Sequence, residues 1–123
     1  MFKKVAFTMY PVEDLARARQ FYEKTLGLKV GKTYIEDTWI EYDLPGGGCF
    51  VLTSVAKDMK PSEHYGGVVA FEVEDLETLM ARLKKENVQV KLDIFHSPVC
   101  QMSVIYDSEG NLVTLHQCHS KKE

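Results

Sequence analysis

Apolar residues recur three and four positions apart in two segments of the chain, the spacing of a helix that buries one stripe. They are Leu15, Ala18, Phe21, Tyr22 and Leu26 in the first segment, and Leu76, Leu79, Met80 and Leu83 in the second. Asp14 and Asp75 stand directly before these segments, where a carboxylate can cap the first helical turn. We expect the first helix to end at Gly27 and the second near Asn87.

Strand-like runs, rich in β-branched and aromatic residues, surround each predicted helix. One run opens each half, before Asp14 and before Asp75. Three more follow each helix, at about 29–36, 38–44 and 49–55 in the first half and about 88–95, 99–106 and 112–118 in the second. Each half therefore has the order β-α-β-β-β.

The two halves are an internal repeat. Residues 68–76 repeat the pattern of residues 7–15, and Asp14 and Asp75 are 61 residues apart in a chain of 123. A repeated unit of this size cannot bury its apolar face alone. We therefore predict one α+β domain over 1–123, with module one at 1–56, a linker at 57–67 and module two at 68–119.

Composition excludes several classes of function. The chain has 15 Lys and Arg against 18 Asp and Glu, a net charge of −3 with no basic block, which argues against nucleic acid as a partner. No apolar run reaches the length of a membrane span, and the first residues lack the apolar core of a signal peptide, so we expect a cytoplasmic protein with no membrane partner. The three cysteines lack close pairing, which favours reduced thiols.

Three motifs, in this order and spacing, resemble the vicinal oxygen chelate superfamily, which includes glyoxalase I, bleomycin resistance proteins and extradiol dioxygenases. They are the segment from Asp14-Leu15 through Phe21-Tyr22 to Leu26-Gly27-Leu28, the segment 71–76, and Asp107-Ser108-Glu109-Gly110-Asn111-Leu112. The resemblance covers essentially the whole chain. It implies two tandem βαβββ modules whose curved mixed sheets enclose a cavity, and a homodimer.

The resemblance also implies where a metal would be bound. Metal-dependent members have a His or Gln seven residues before each helix-capping Asp, and a Glu in the last strand of each module. In this chain those positions hold Phe7, Val68, Thr114 and, to within one residue, Leu52. Divalent metals need imidazole, carboxylate or similar donors. We therefore expect no metal at these positions and no cofactor.

What remains is a cavity, whose lining we predict from strand alternation. Val113 and Leu115 should face the helices, and Cys100, Met102 and Val104 should be core. The residues expected to line the ligand-binding cavity are Phe7, Met9, Trp39, Glu41, Leu52, Val68, Gln101, Ser103 and Thr114. Trp39 can stack on a planar ligand or belong to the core.

Glu72 and His116 are the predicted catalytic residues. His116 can act as an acid, a base or a hydrogen-bond donor, and Glu72 can be a base with a raised pKa or bind a cation. The structural alternative for each is a partly exposed residue near a strand end. Cys100 is expected to be a buried, inert thiol. His116, Cys118 and His119 do not share one strand face, which argues against a metal site.

The sequence thus favours a protein that binds a small organic molecule without the family's metal, as bleomycin resistance proteins do. The alternative is a glyoxalase-like lyase or dioxygenase-related enzyme that uses Glu72 and His116, or a metal held at atypical positions. A third possibility is a dimerisation module without catalytic or ligand-binding function.

Overall fold

Eight β-strands and two helical segments form two successive units in the computed structural model, which describes residues 1–55 and 58–119. One compact unit spans Met1–Pro61 and the other begins at Ser62, so the boundary falls inside the predicted linker. Each unit has the predicted order β-α-β-β-β. The α+β class and the two tandem modules are therefore confirmed.

The first unit is a four-stranded mixed sheet with one helical segment. Its elements are β1 (Thr8–Pro11), α1 (Leu15–Arg19) followed by a π-helical turn (Gln20–Thr25), β2 (Lys32–Tyr34), β3 (Trp39–Asp43) and β4 (Cys49–Thr53). The strand order is β1-β4-β3-β2, with β1 parallel to β4 and the other pairs antiparallel.

The second unit repeats this arrangement. Its elements are β5 (Val69–Glu72), α2 (Leu76–Lys85), β6 (Val90–His96), β7 (Cys100–Tyr106) and β8 (Leu112–Cys118). The strand order is β5-β8-β7-β6, with β5 parallel to β8. In the described ranges, no helix has the length and apolar character that a membrane span requires.

The helix ends follow the sequence prediction. Asp14 accepts a hydrogen bond from the N–H of Arg17 at 3.0 Å, and Asp75 accepts one from the N–H of Thr78 at 3.1 Å. Gly27 and Asn87 have φ angles of 83° and 65°, the left-handed conformation that ends a helix. The N-terminal caps and the left-handed C-terminal residues depend only on neighbouring residues in the chain, which is why they can be predicted from the sequence.

The second half of the first helix differs from the prediction, because it is a π-helix. The N–H of Leu26 bonds to the carbonyl of Phe21, five residues back, at 2.9 Å. The wider turn still buries both Phe21 and Tyr22, and the Tyr22 ring lies 5.1 Å from the ring of Phe50 in β4.

Strand β2 is shorter than the predicted 29–36. Ile35, Glu36 and Asp37 have φ angles of 55°, 54° and 64°, so the chain leaves the extended conformation directly after Tyr34. The Thr33 hydroxyl donates to Oδ1 of Asp37 at 2.9 Å and closes this turn.

Candidate functional site

Each sheet has a helix face, which packs on that unit's helix, and an open face, which points the other way. In the first unit, the helix face carries Ile40, Tyr42 and Phe50, with Tyr42 donating to Oε2 of Glu23 at 2.7 Å. In the second unit it carries Val113 and Leu115, which are fully buried as predicted. Residues at alternate positions therefore form the open faces.

Trp39 and Glu41, two of the predicted cavity residues, lie on the open face of the first unit. The Nε1–H of Trp39 donates to Oε2 of Glu41 at 3.0 Å. The ring of Phe7 meets the Trp39 ring edge to face, with centroids 5.3 Å apart. Met9 lies on the same face, opposite Val51 in the pairing of β1 with β4. Four predicted cavity residues are therefore brought onto one surface.

A cavity of about 430 Å³ opens beside this cluster in the first unit. Its lining includes Lys4, Phe7, Glu41, Asp43, Gly48 and Cys49. Burial, together with the negative charges of Glu41 and Asp43, raises the pKa of the Cys49 thiol, so this cysteine is a poor nucleophile. The cavity combines one aromatic ring, that of Phe7, with two carboxylates and one ammonium group.

Glu72 and His116 are brought together on the open face of the second unit. The parallel pairing of β5 with β8 places them directly opposite one another, and Nδ1 of His116 lies 2.5 Å from Oε1 of Glu72. The other carboxylate oxygen accepts the backbone N–H of Cys118 at 2.8 Å. The carboxylate thus orients the imidazole, and Nε2 remains the ring nitrogen available for proton transfer or for binding a ligand.

Of the two roles considered for Glu72, a base with a raised pKa is not supported by its surroundings. Partial desolvation, the largest single effect, acts to raise it, but the hydrogen bonds from His116 and Cys118 and the charge of His116 together hold the pKa of Glu72 below its usual value. The Glu72 side chain is 58% exposed, which limits desolvation. Glu72 therefore fits the role of a partner for His116 better than that of an independent base.

The remaining open face of the second unit is apolar. Val68 is 41% exposed, and Thr114 lies between Ala70 and Val104. Leu92 and Phe95 were not among the predicted cavity residues. Leu92 pairs with Val104 and is 51% exposed, and Phe95 pairs with Met102 and is 43% exposed. The register of β6 is irregular between Val90 and Phe95. Leu92 and Phe95 therefore share a face without being an even number of residues apart, and strand alternation could not identify them.

The predicted facing of β7 is wrong. Gln101 and Ser103 point to the helix, not to the ligand face: the Ser103 hydroxyl contacts Sδ of Met80 at 3.2 Å, and the Gln101 amide donates to Oε1 of Gln117 at 3.1 Å. Met102 and Val104, predicted as core, lie on the open face because they pair with His116 and Thr114. The prediction assigned the more apolar set to the core, but here the core holds two polar side chains. The Ser103 hydroxyl and the Gln101 NH₂ group have partners, whereas Oε1 of Gln101 is buried without one among the described residues.

Leu52 also lies on the helix face, opposite Ile40, and is fully buried. Val51 pairs with Met9 as Thr114 pairs with Ala70, so Val51 is the residue that corresponds to Thr114 in the repeat. The sequence register was off by one residue because it equated Gly110 with Gly48. Both turns span five residues and make the same backbone hydrogen bonds, and in them Gly110 corresponds to Gly47.

The cysteines and histidines are placed as follows. Cys100 is buried, with Sγ 3.3 Å from the hydroxyl of Ser97, and all three cysteines are free thiols. The rings of His96 and His119 stack with centroids 6.5 Å apart. No group of three or more His, Cys, Asp or Glu side chains suited to a metal occurs within residues 1–55 and 58–119.

Several solved structures share this fold. The antibiotic-binding protein TnmS3 from Streptomyces sp. CB03234 is 23% identical, with a TM-score of 0.79 over 95% of this chain and 97% of that one. The fosfomycin resistance protein FosX from Listeria monocytogenes is 16% identical, with a TM-score of 0.71 over 95% and 94%. Lactoylglutathione lyase from Agrobacterium tumefaciens is 16% identical, with a TM-score of 0.72 over 94% of both chains. At these identities the likeness establishes the fold alone.

Sequence comparison gives the family. Among curated protein sequences, none matches this chain significantly. The family model of the Glyoxalase/Bleomycin resistance protein/Dioxygenase superfamily, however, matches residues 4–115. This match spans both modules and agrees with the resemblance found in the sequence motifs. The chain therefore belongs to the Glyoxalase/Bleomycin resistance protein/Dioxygenase superfamily.

Proposed function

We propose that this protein binds a small organic molecule and does so without the metal of its superfamily. The observation that carries the proposal is the cavity of about 430 Å³ in the first unit, which has the size of a small-molecule site. Antibiotic-binding and drug-resistance proteins with the same fold, such as TnmS3 and FosX, support it by analogy.

The lining favours a neutral or cationic aromatic compound. Phe7 supplies an exposed ring held against Trp39, and Glu41 and Asp43 supply two carboxylates against the single ammonium of Lys4. A ligand cation can pair with the carboxylates and lie against the Phe7 ring. A phosphate-rich compound would be repelled by the same charges.

Trp39 is the natural reporter for this site because it is the only tryptophan and contacts Phe7. Titration with aromatic amines and with the matching uncharged alcohols should change Trp39 emission, with the amines binding more tightly. Glu41→Gln keeps an acceptor for Trp39 and removes the charge, so it should weaken amine binding by about 1–3 kcal/mol. Glu74→Gln, an exposed carboxylate in the other unit, is the control. No change in emission with either series would refute a ligand site here.

We infer that the superfamily's metal is not used, because the donors at its positions do not fit. Phe7, Val68 and Val51 offer no ligand atom, and Thr114 offers only a neutral hydroxyl. The protein purified without added metal should be folded and hold no stoichiometric divalent ion. Elemental analysis that finds about one zinc, nickel or iron per chain, removed by a chelator, would overturn this.

An acid-base enzyme is the second candidate, and the 2.5 Å contact between His116 and Glu72 favours it. In this case the protein would be a glyoxalase-like lyase or a dioxygenase-related enzyme in which His116 moves a proton and Glu72 orients it. Adducts of α-keto aldehydes with thiols, and catechols, are the substrates to test. His116→Gln should abolish turnover, while Glu72→Gln should lower it and shift its pH profile; turnover unaffected by both would exclude this reading.

We also propose a homodimer in the cytoplasm. Val68, Leu92 and Phe95 leave apolar surface exposed in the second unit, which a second copy would cover across a two-fold axis. The three free thiols fit a reducing compartment. Light scattering at micromolar concentration should give twice the chain mass, and a monomer would contradict the proposal.

A further inference from the structure

Two of the three cysteines are direct neighbours across a strand pair. Cys100 in β7 and Cys118 in β8 are register partners in an antiparallel ladder. The next position along that register, Val99 with His119, is hydrogen-bonded: the His119 N–H donates to the Val99 carbonyl at 2.8 Å. Because hydrogen-bonded and non-hydrogen-bonded pairs alternate, Cys100 and Cys118 form a non-hydrogen-bonded pair.

An independent contact supports this assignment. The backbone N–H of Cys118 points away from β7 and donates to Oε2 of Glu72 at 2.8 Å, as expected for the non-hydrogen-bonded position. In such pairs the Cα atoms are about 4.5 Å apart and the side chains leave the same face. A disulfide accepts Cα separations of about 4.4 to 6.8 Å, so the two sulfurs can be joined without displacing either strand.

The two thiols differ in access, as the two members of a redox pair commonly do. Cys118 is exposed, so a small oxidant in solution can reach it, whereas Cys100 is buried with its sulfur beside the Ser97 hydroxyl. Cys49 belongs to the other unit and has its thiol pKa raised by burial and acidic neighbours. Oxidation is therefore expected to start at Cys118 and to finish at Cys100.

We propose that Cys100 and Cys118 form a reversible intramolecular disulfide on exposure to a hydroperoxide, a modification site distinct from the proposed ligand cavity. The Cys118 thiolate attacks the peroxide, forming an S–O bond and breaking the O–O bond, and water or an alcohol leaves after taking up a proton. The Cys100 thiolate then attacks that sulfur, forming the S–S bond and releasing hydroxide as water. The two thiols lose two electrons in all and the peroxide gains them.

The proposed disulfide would include Cys118, the residue whose backbone N–H binds the Glu72 carboxylate. Cys118 donates its backbone N–H to Glu72, which in turn binds His116. A cross-link at Cys118 thus lies one hydrogen bond from the pair of Glu72 and His116.

The test uses the reduced 123-residue chain treated with a few equivalents of hydrogen peroxide. Thiol titration should fall from three to one per chain, intact mass should drop by two hydrogen atoms, and a peptide map should link Cys100 to Cys118. Dithiothreitol should restore all three thiols. Cys49→Ser should leave the reaction unchanged, while Cys100→Ser and Cys118→Ser should each abolish the loss of two hydrogens.

The peptide map of the unaltered chain decides the question even where a variant fails to fold. A map that links Cys49 to either partner, disulfide-bonded dimers on a non-reducing gel, or oxygen added to Cys118 while Cys100 stays a free thiol would each overturn the proposal.

Discussion

Asp107→Asn tests whether one buried carboxylate holds the turn that leads into β8. Asp107 is only 6% exposed. Its Oδ1 accepts the backbone N–H groups of Glu109 at 2.7 Å and Asn111 at 2.9 Å, and its Oδ2 accepts the Asn111 side-chain amide at 3.1 Å. The side-chain oxygen of Asn111 is already engaged, because it accepts the N–H of Ser62 at 3.0 Å.

The substitution replaces Oδ2 by an NH₂ group that faces the NH₂ of Asn111, so one hydrogen bond becomes a donor–donor contact. Turning the Asn111 amide over would remove that conflict but would lose the bond to Ser62. The two remaining bonds fall from charged to neutral strength, about 1 kcal/mol each, and the unsatisfied donor adds about 1 kcal/mol. Relief from burying a charge offsets part of this, so we expect a net loss of about 2–3 kcal/mol.

Urea unfolding measures the loss as a shift of the midpoint at constant m-value. Asp37→Asn is the matched control, since it makes the same chemical change at an exposed turn residue whose left-handed conformation suits Asn. The control should change the free energy of unfolding by less than about 0.5 kcal/mol. Asp107→Asn with an effect as small as the control would refute the reasoning.

Three further predictions concern other parts of the chain. Tyr42→Phe removes the hydroxyl that donates to Glu23 and should cost about 1–2 kcal/mol in thermal unfolding, because Glu23 retains Arg19; unchanged stability would contradict the hydrogen bond. Glu72 should titrate below its ordinary 4.5 in carboxyl NMR, so its contribution to stability is present above that pH and is lost as pH falls through the lowered pKa; a midpoint at or above 4.5 would exclude the pairing with His116. Gly27→Ala should cost about 1 kcal/mol for its left-handed φ alone, since an added Cβ meets no atom within 4 Å, whereas Gly46→Ala, with equal space and no positive φ, should cost little; equal costs would count against backbone strain.

The order of elements, the repeat and the helix ends followed from the sequence. Each rests on interactions within a few residues: the Asp14 and Asp75 caps, the left-handed Gly27 and the spacing of apolar residues along each helix. Because these interactions join residues that are close together in the chain, the pattern of residue types was sufficient to predict them. The same local logic missed the π-helical turn, because the spacing of its apolar residues also satisfies an α-helix.

The facing of β7 was decided by tertiary structure. Alternation along β7 gives two sets of side chains, and only pairing with β8 shows which set faces α2. The Ser103 hydroxyl and the Gln101 NH₂ group are buried with partners, Met80 and Gln117, which lie 16 or more residues away. A polar residue with a distant partner cannot be distinguished in sequence from a polar residue in solvent.

The candidate pairs depend on the same nonlocal register. Glu72 and His116 lie 44 residues apart, and only the parallel pairing of β5 with β8 brings them into contact. The choice between Leu52 and Val51, and the adjacency of Cys100 to Cys118, follow from strand register in the same way. A shift of one residue would send each of these side chains to the other face, so the sequence determined which residues are present and the register determined which of them meet.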